Sequence, residues 1–595
     1  MKYTKILLSL LLAICMLGLA ACANDDGAGA DSSTDSTLPE APAVLELIDP
    51  ENGANVSIVY SVSAQEYELD TATAVSDRIY RMTEVRIRPE AEPVEPDPER
   101  CEILVGMTSY DESKEVYASL GYGEGAVKVV GNKIVLAGYS ASALSQALDE
   151  LAAAMAEGKT EEGVYTVSNS LFVTASDNEL LAEVPVADGF TAGKITDTGD
   201  GCYMLTFESV SAEKMQSYVA TFENKGYTKY DENKIDDNLF YTYVSEENVL
   251  TAMYTKYNST ARVLIQPKEN TALPTREADN VYTPVEGCET TITQLGLYYD
   301  YGDNKASAYF NGMCYVIRLA DGSFIVVDGG HNKSIDGDRI YNVLRKQAPD
   351  PDNIVIAAWV FSHAHSDHVG FFKDFAKTYS TKVTVEQFIF NFPSAEQRAG
   401  LSDNRGVVDV ALKQYFANVP IVKAHAGQVY HLRNAKLTML YSLDLYTDTL
   451  TDYNNTSLVF TVEAEGQKFM VFGDYSENGK TMRSMYSADT FKSDIMQVSH
   501  HGVAGQSTET YELVAPEYAL WPAGDYFVSF TYNGTVQNVQ LNEKSWNQYM
   551  IQKMDQDKVL WALDDIVILT LGADGITSQV FENDTAYLSG SAVSQ

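Results

Sequence analysis

Apolar residues along this chain fall into short runs separated by turn-forming residues, and the first run stands apart. Ile6 to Leu19 is almost wholly apolar and follows Lys2 and Lys5. It is short for a membrane-spanning helix and has the charge-then-apolar shape of an export leader. Residues Ala23 to Ala43 are rich in Asp, Ser, Thr, Ala and Pro without apolar periodicity. They predict a flexible tether over 22–43. Punctuation then predicts three folded units, at about 44–175, 185–274 and 290–595.

In the first unit Glu102–Gly106 reads as a buried strand and Glu112–Leu120 as a helix. Ala126–Val130 and Lys133–Ala137 form a hairpin about Gly131-Asn132. Ser140 or Ser142 caps a second helix, with Leu144, Leu148, Leu151 and Met155 on one face and Gly158 as its stop. The second unit predicts a strand at Tyr203–Phe207 and a helix capped by Ser211, with Met215, Tyr218, Val219 and Phe222 inward and Gly226 at its end. Strands follow at Leu239–Val244, Ala252–Tyr257 and Arg262–Ile265. This is a small α+β unit without a titratable cluster. In the third, Tyr315–Leu319 and Phe324–Val327 pair around Ala320–Ser323, and Asp338–Gln347 is helical with Ile340, Val343 and Leu344 on one face. Ile354–Phe361 is an apolar strand, and Phe371–Tyr379 is again helical. Strand and helix keep alternating, so the fold class is α/β, an α/β sandwich preceded by two small α/β or α+β units.

The formal charge is −41, which disfavours electrostatic binding of nucleic-acid polymers. Metal ions can still supply local positive charge for phosphoester chemistry. Six cysteines and no CxxC pair exclude a disulfide scaffold and a cysteine metal site. Leu19-Ala20-Ala21-Cys22 resembles the bacterial lipobox. That resemblance implies a lipoprotein signal peptide at 1–21, cleavage before Cys22, a lipid on its sulfur and a membrane-anchored chain facing outside the cytoplasm. The strand–helix–hairpin–helix order of the first unit resembles the small α/β domain ahead of the catalytic barrel in α-glucuronidases and related glycosidases. It implies an accessory role, a spacer or a glycan contact.

All eight histidines lie beyond residue 330, and three share the run Ser362-His363-Ala364-His365-Ser366-Asp367-His368 directly after the apolar strand. Imidazoles and a carboxylate in one short loop suit Zn²⁺ or a similar borderline ion, and the spacing allows two. Three further strands end in polar ligand types: Val326-Val327-Asp328-Gly329-Gly330, Val471-Phe472-Gly473-Asp474 and Gln497-Val498-Ser499-His500-His501-Gly502. These four motifs, in this order, resemble the metallo-β-lactamase superfamily, whose αββα fold hydrolyses esters, amides and phosphoesters with one or two metals.

The resemblance implies that His363 and His365 face one metal and Asp367 with His368 the other. Asp474 then bridges, Asp328 orients the loop from behind, and His500 or His501 completes the second metal, with His501 favoured. The hydrolytic water would be held between the metals, with Asp367 and Asp474 among the catalytic residues and His500 or solvent protonating the leaving group. Where common members carry another histidine, this chain has Asn454-Asn455-Thr456-Ser457-Leu458-Val459. With the His-His-Gly motif, this is similar to the branch of the competence-protein nuclease domain and the phosphorylcholine esterases. An amide oxygen is a poorer Zn²⁺ ligand than imidazole, so the first metal is weaker or harder, such as Mn²⁺. His425 is a rival third ligand, ahead of His431 and His331. The implied activity is a phosphoesterase acting on a small or cell-surface phosphoester, with β-lactam, amide or ester hydrolysis and a glycan-binding protein with a non-catalytic metal site as rivals.

Overall fold

The strand and helix patterns resolve into three sets of sheets, and the way the last two share a core decides where the histidines sit. The computed structural model describes residues 44–190, 193–299, 308–332, 335–398, 403–446, 450–476, 481–524, 531–532, 535–536 and 544–590. The export leader (1–21), the tether (22–43) and the proposed lipid anchor Cys22 lie outside the described residues. Among the described residues, no helix is long and apolar enough to cross a membrane.

The first sheet has the strand order Glu90–Ala91, Ser57–Tyr60, Glu102–Val105, Lys133–Gly138, Glu124–Val130, Phe172–Ser176. Its first four strands run parallel, and the expected hairpin closes with Val130 opposite Lys133. Ser140 is the cap of helix Ala141–Glu157, its side chain accepting from the Ala143 amide. The helix expected over Glu112–Leu120 spans Asp111–Tyr117 instead. Its last turn tightens, with the amides of Ser119 and Leu120 donating three residues back. No expectation covered the helix Glu66–Thr83, whose buried face mixes Ala72, Val75 and Ile79 with Glu68, Thr71 and Ser76.

The second sheet is six-stranded and antiparallel throughout, in the order Lys194–Gly199, Cys202–Phe207, Thr260–Pro267, Asn248–Thr255, Asn238–Val244, Thr228–Ile235. The strand expected at Ala252–Tyr257 begins at Asn248, because Ser245 turns the chain directly back through its amide bond to the Asn248 carbonyl. One face, with Leu205, Tyr241, Leu250, Ala252 and Val263, packs on helix Ala212–Ala220. Alternation sends Phe240, Met253 and Leu264 to the other face. There they join Ala426, Leu440, Tyr441, Met482 and Met485 of the C-terminal part in one core. Phe240 lies so close under Gly427 (φ +82°) that a Cβ there would fall 1.9 Å from its ring. Burial of three such side chains contributes about 1.5–3 kcal/mol each. The middle sheet is therefore an outer layer of the C-terminal part as well as a small unit of its own.

That C-terminal part is a sandwich of two sheets. One runs Ile421–Lys423, Phe388–Phe390, Ile354–Val360, Phe324–Asp328, Cys314–Arg318, Thr290–Leu295, Ile566–Gly572, Gly575–Phe581. The other runs Val429–Leu432, Ala435–Tyr441, Val459–Ala464, Gln467–Val471, Ile495–Gln497, Tyr518–Trp521, Val559–Trp561. Val327, Val360, Phe460, Val471 and Leu520 fill the space between them. Helices Asp336–Gln347, Phe372–Tyr379 and Arg405–Tyr415 cover the first sheet from outside. The outer face of the second is shared between helices such as Thr508–Val514 and the middle sheet. Cys101, Cys202, Cys288 and Cys314 are free thiols.

Candidate metal centre

Four strands of the sandwich run out at one end, and each delivers polar groups there. Strand Phe324–Asp328 ends in a fully buried carboxylate in the left-handed region (φ 53°). Asp328 accepts from the Ser362 amide at 2.7 Å and the Ser362 hydroxyl at 2.6 Å, and bonds His368 Nδ1 at 2.7 Å. It thus ties down both ends of the histidine loop. The loop begins where Ile354–Val360 stops, and Ser366–Val369 closes it as a single helical turn. That turn brings His368 back beneath His363, with ring centroids 4.2 Å apart.

The other sheet supplies the rest. Gln467–Val471 leads to Asp474, whose amide donates to Ser457 Oγ. The Gln497 side chain bonds the Phe472 amide and the Gly473 carbonyl, clamping this strand end to its neighbour. After Ile495–Gln497 the chain places His500 (φ 47°) and His501 (φ 55°) both in the left-handed region. Two successive non-glycine residues held there cost about 1–3 kcal/mol each, strain that the surrounding packing offsets.

Two donor groups result. Asp367, His368, Asp474 and His501 converge with all ligand atoms within 4.8 Å, and His363, His365 and Asp474 form a second such group. Asp474 Oδ2 lies 3.2 Å from His368 Nε2, 3.4 Å from His501 Nε2, 3.6 Å from His500 Nε2 and 3.7 Å from His363 Nε2. His501 Nε2 lies 3.3 Å from Asp367 Oδ2. Buried polar atoms are normally hydrogen-bonded. Here the inward atoms His363 Nε2, His368 Nε2, His501 Nε2 and Asp474 Oδ1 are buried without a hydrogen-bond partner. Unpaired imidazole and carboxylate donors aimed at common points fit one or two divalent ions.

Without an ion the cluster polarises itself. Burial works against charge on His501, but Asp474 and Asp367 outweigh it and push this imidazole up to about 9. His368 is likewise raised well above the ordinary range, burial being overcome by Asp474 and Asp328. Burial would raise Asp474, yet His368 and His501 hold it well below the usual carboxylate range. His363 goes the other way, lowered by burial and then by the neighbouring His368. Burial also lowers His500, against the pull of Asp474.

The remaining expectations divide. Asn454 lies beside the cluster, with Nδ2 3.5 Å from His500 Nε2 and Oδ1 buried without a partner. Asn455 instead accepts from Ser476 Oγ in the loop after Asp474. His425, the rival third ligand, is in neither donor group. It is fully buried between Asp444 (Nδ1 to Oδ2, 2.7 Å) and Gln266 of the middle sheet (3.3 Å), a structural bridge between the two. His331 is held by the Asn311 carbonyl, and His431 sits in strand Val429–Leu432 with its amide donating to Thr275.

Two supports went unread in the sequence. Asn311 donates to Asp367 Oδ2 at 2.6 Å, and the Pro522 carbonyl holds His501 Nδ1 at 2.9 Å. Neither carries a spacing signal, since each reaches its ligand only through tertiary contact.

Residues 309–517 match the family model described as the metallo-beta-lactamase superfamily. The αββα sandwich is accordingly a metallo-β-lactamase domain, preceded by other α/β domains. A search of curated proteins found no match. Among solved structures, the chain is similar to the metallo-beta-lactamase fold protein YhfI from Bacillus subtilis, with 12% identity, a TM-score of 0.26 and coverage of 39% of this chain and 85% of that one. It is also similar to CmlA, a diiron beta-hydroxylase from Streptomyces venezuelae, with 12% identity, a TM-score of 0.26 and coverage of 42% and 47%. The flavodiiron protein from Giardia intestinalis follows at 11% identity, a TM-score of 0.21 and coverage of 40% and 54%. The chain thus spans about half the length of the last two.

Proposed function

We propose that this chain, with its metallo-β-lactamase domain, is a metal-dependent phosphoesterase tethered outside the cytoplasm through Cys22. The observation that carries the hydrolytic reading is the pair of donor groups sharing Asp474, with their inward atoms left unpaired. His363, His365 and Asp474 would hold one ion, and Asp367, His368, His501 and Asp474 the other, as Zn²⁺ or, in the first position, Mn²⁺. When bound, such ions supply Lewis acidity and bring the pKa of a water near neutrality.

The chain's own residues do the rest. Asp474 stays ionised and faces both groups, while Asp328 and Asn311 keep His368 and Asp367 in place. His500 is neutral at pH 7, and its side chain is 21% exposed at the cluster's edge. It is suited to hydrogen-bond the leaving-group oxygen. The preference for a phosphoester rests on Asn454 in place of a histidine together with His500-His501-Gly502. The acidic chain favours a small or cell-surface phosphoester over a nucleic-acid polymer. A glycan contact by the first unit would be accessory.

The test is bound metal per chain measured beside hydrolysis of bis-p-nitrophenyl phosphate and nitrocefin. Metal with phosphodiester turnover supports the proposal. Nitrocefin turnover alone makes the chain an amide hydrolase, and metal without turnover makes it a binding protein. Detergent-phase partition of the mature protein, lost in Cys22→Ser, checks the anchor.

A further inference from the structure

We propose that the cleft between the middle sheet and the sandwich binds a neutral saccharide unit, at a site separate from the metal cluster. The cleft encloses about 270 Å³, room for one sugar ring. It lies at the end of the sheet where the strands run out. Phe388–Phe390 pairs in parallel with Ile354–Val360, and Asn391 and Phe392 follow it into the cleft wall. The opposite wall is the turn at Asp200 and Cys202. That turn is wedged in place, since a Cβ on Gly199 would fall 2.2 Å from the Ser394 hydroxyl.

Two polar groups there lack partners. Asn391 is 2% exposed. Its amide nitrogen donates to the Ala424 carbonyl at 2.9 Å and lies 3.3 Å from both Asp444 oxygens. That fixes the amide, and Oδ1 is left buried with no hydrogen-bond partner. Lys423 lines the same cleft, and its ammonium forms no hydrogen bond or ion pair among the described residues. Arg405 bonds Asp200 at 2.7 Å and Asp409 at 3.2 Å, and the one negative charge left over is balanced by Lys423, so the cleft lining is neutral overall.

The ligand class follows by elimination. An anion would meet Asp200 and Asp409, and a cation would meet Arg405 and Lys423. A wholly apolar molecule would desolvate the Lys423 ammonium without pairing it, which is costly. A hydroxyl both donates and accepts, so it can give to Asn391 Oδ1 and accept from Lys423, while the C–H face of a ring lies on Phe390, Phe392 and Ile421. The two phenyl rings are tilted 34° to each other and almost wholly buried.

The experiment is saturation-transfer NMR on the full chain with glucose, galactose and N-acetylglucosamine, beside adenosine, and phosphorus-31 line broadening with inorganic phosphate. Transfer to at least one sugar is expected, weakened about tenfold in Lys423→Met by loss of one hydrogen bond to a charged donor. Ile421→Trp, which fills the cleft, should abolish it while bound metal per chain stays unchanged. Unchanged metal content also shows that the variants fold. Absence of transfer from every sugar overturns the proposal, as does transfer that survives both substitutions. Binding of adenosine or phosphate in place of a sugar overturns it too.

Discussion

His363 and His365 share a loop with Asp367 and His368, yet the two donor groups are supported very differently. In the inner group every unshared ligand is gripped from behind: His368 by Asp328, Asp367 by Asn311 and His501 by the Pro522 carbonyl. In the outer group, among the described residues, His363 is held from behind by the Ser362 hydroxyl alone at 3.1 Å, and His365 has ring contacts with His363 and Tyr453. Asn454 lies beside the cluster with its amide nitrogen 3.5 Å from His500 Nε2 and its Oδ1 buried without a hydrogen-bond partner. Outer hydrogen bonds hold a ligand's tautomer and orientation, and losing one costs about 10–100-fold in metal affinity. The comparison teaches that the cluster has a braced half and a less braced half that share Asp474.

Removing the shared carboxylate should have the largest effect. Asp474→Ala is expected to lower phosphodiester turnover by at least about 10³-fold and leave less than one metal per chain, measured by elemental analysis. Turnover near that of the unaltered chain would break the idea that the halves depend on one bridge. Asp328→Asn should come next, weakening the inner metal about 10–100-fold in a chelator titration while the outer is little changed. Equal weakening of both would show that the loop responds as a unit. Asn454→His should tighten the outer metal about tenfold and narrow the gap between the two chelation steps.

The smallest effect is in protons. His501, raised to about 9, and His368 are charged at pH 7.5 in the metal-free chain, whereas His363, lowered, is neutral. Inner uptake should therefore release more protons than outer uptake, read by calorimetry in two buffers of different ionisation enthalpy. By the same sign, the raised histidines stabilise the metal-free fold fully below about pH 6.5. For His501 that contribution is lost as pH rises through about 9, and for His368 as pH rises through its own raised value. Thermal unfolding of the metal-free chain should follow this course.

The candidate cluster was legible as far as its ligands lie at strand ends. His363 to His368 fall within one short run, and Asp474 and His501 each follow an apolar strand and precede or follow a glycine. The ends of parallel strands in a sandwich are brought to one edge by the fold itself, so local pattern suffices to nominate them. His425 shows the limit. Its type and setting, Ala424-His425-Ala426-Gly427, suit a loop ligand, but Asp444 and Gln266, distant in sequence, hold it as a buried bridge. Asn311 and Pro522 escaped for the complementary reason, being ordinary loop residues until the second sheet closes over them.

By itself, the sequence determined the alternation of strand and helix, the order of the four ligand-bearing strand ends and the chemistry those ends can offer. Periodicity, capping and residue type are local properties and survive without knowledge of what packs where. Only the tertiary structure decided that the middle sheet replaces part of the sandwich's outer layer, that one donor group is braced and the other less so, and that a cleft lies between two units. Each of these depends on contacts between residues far apart in the chain, such as Phe240 against Gly427 and Asp328 against His368. Burial, which sets the cost of an unpaired charge or amide, exists only after those contacts form.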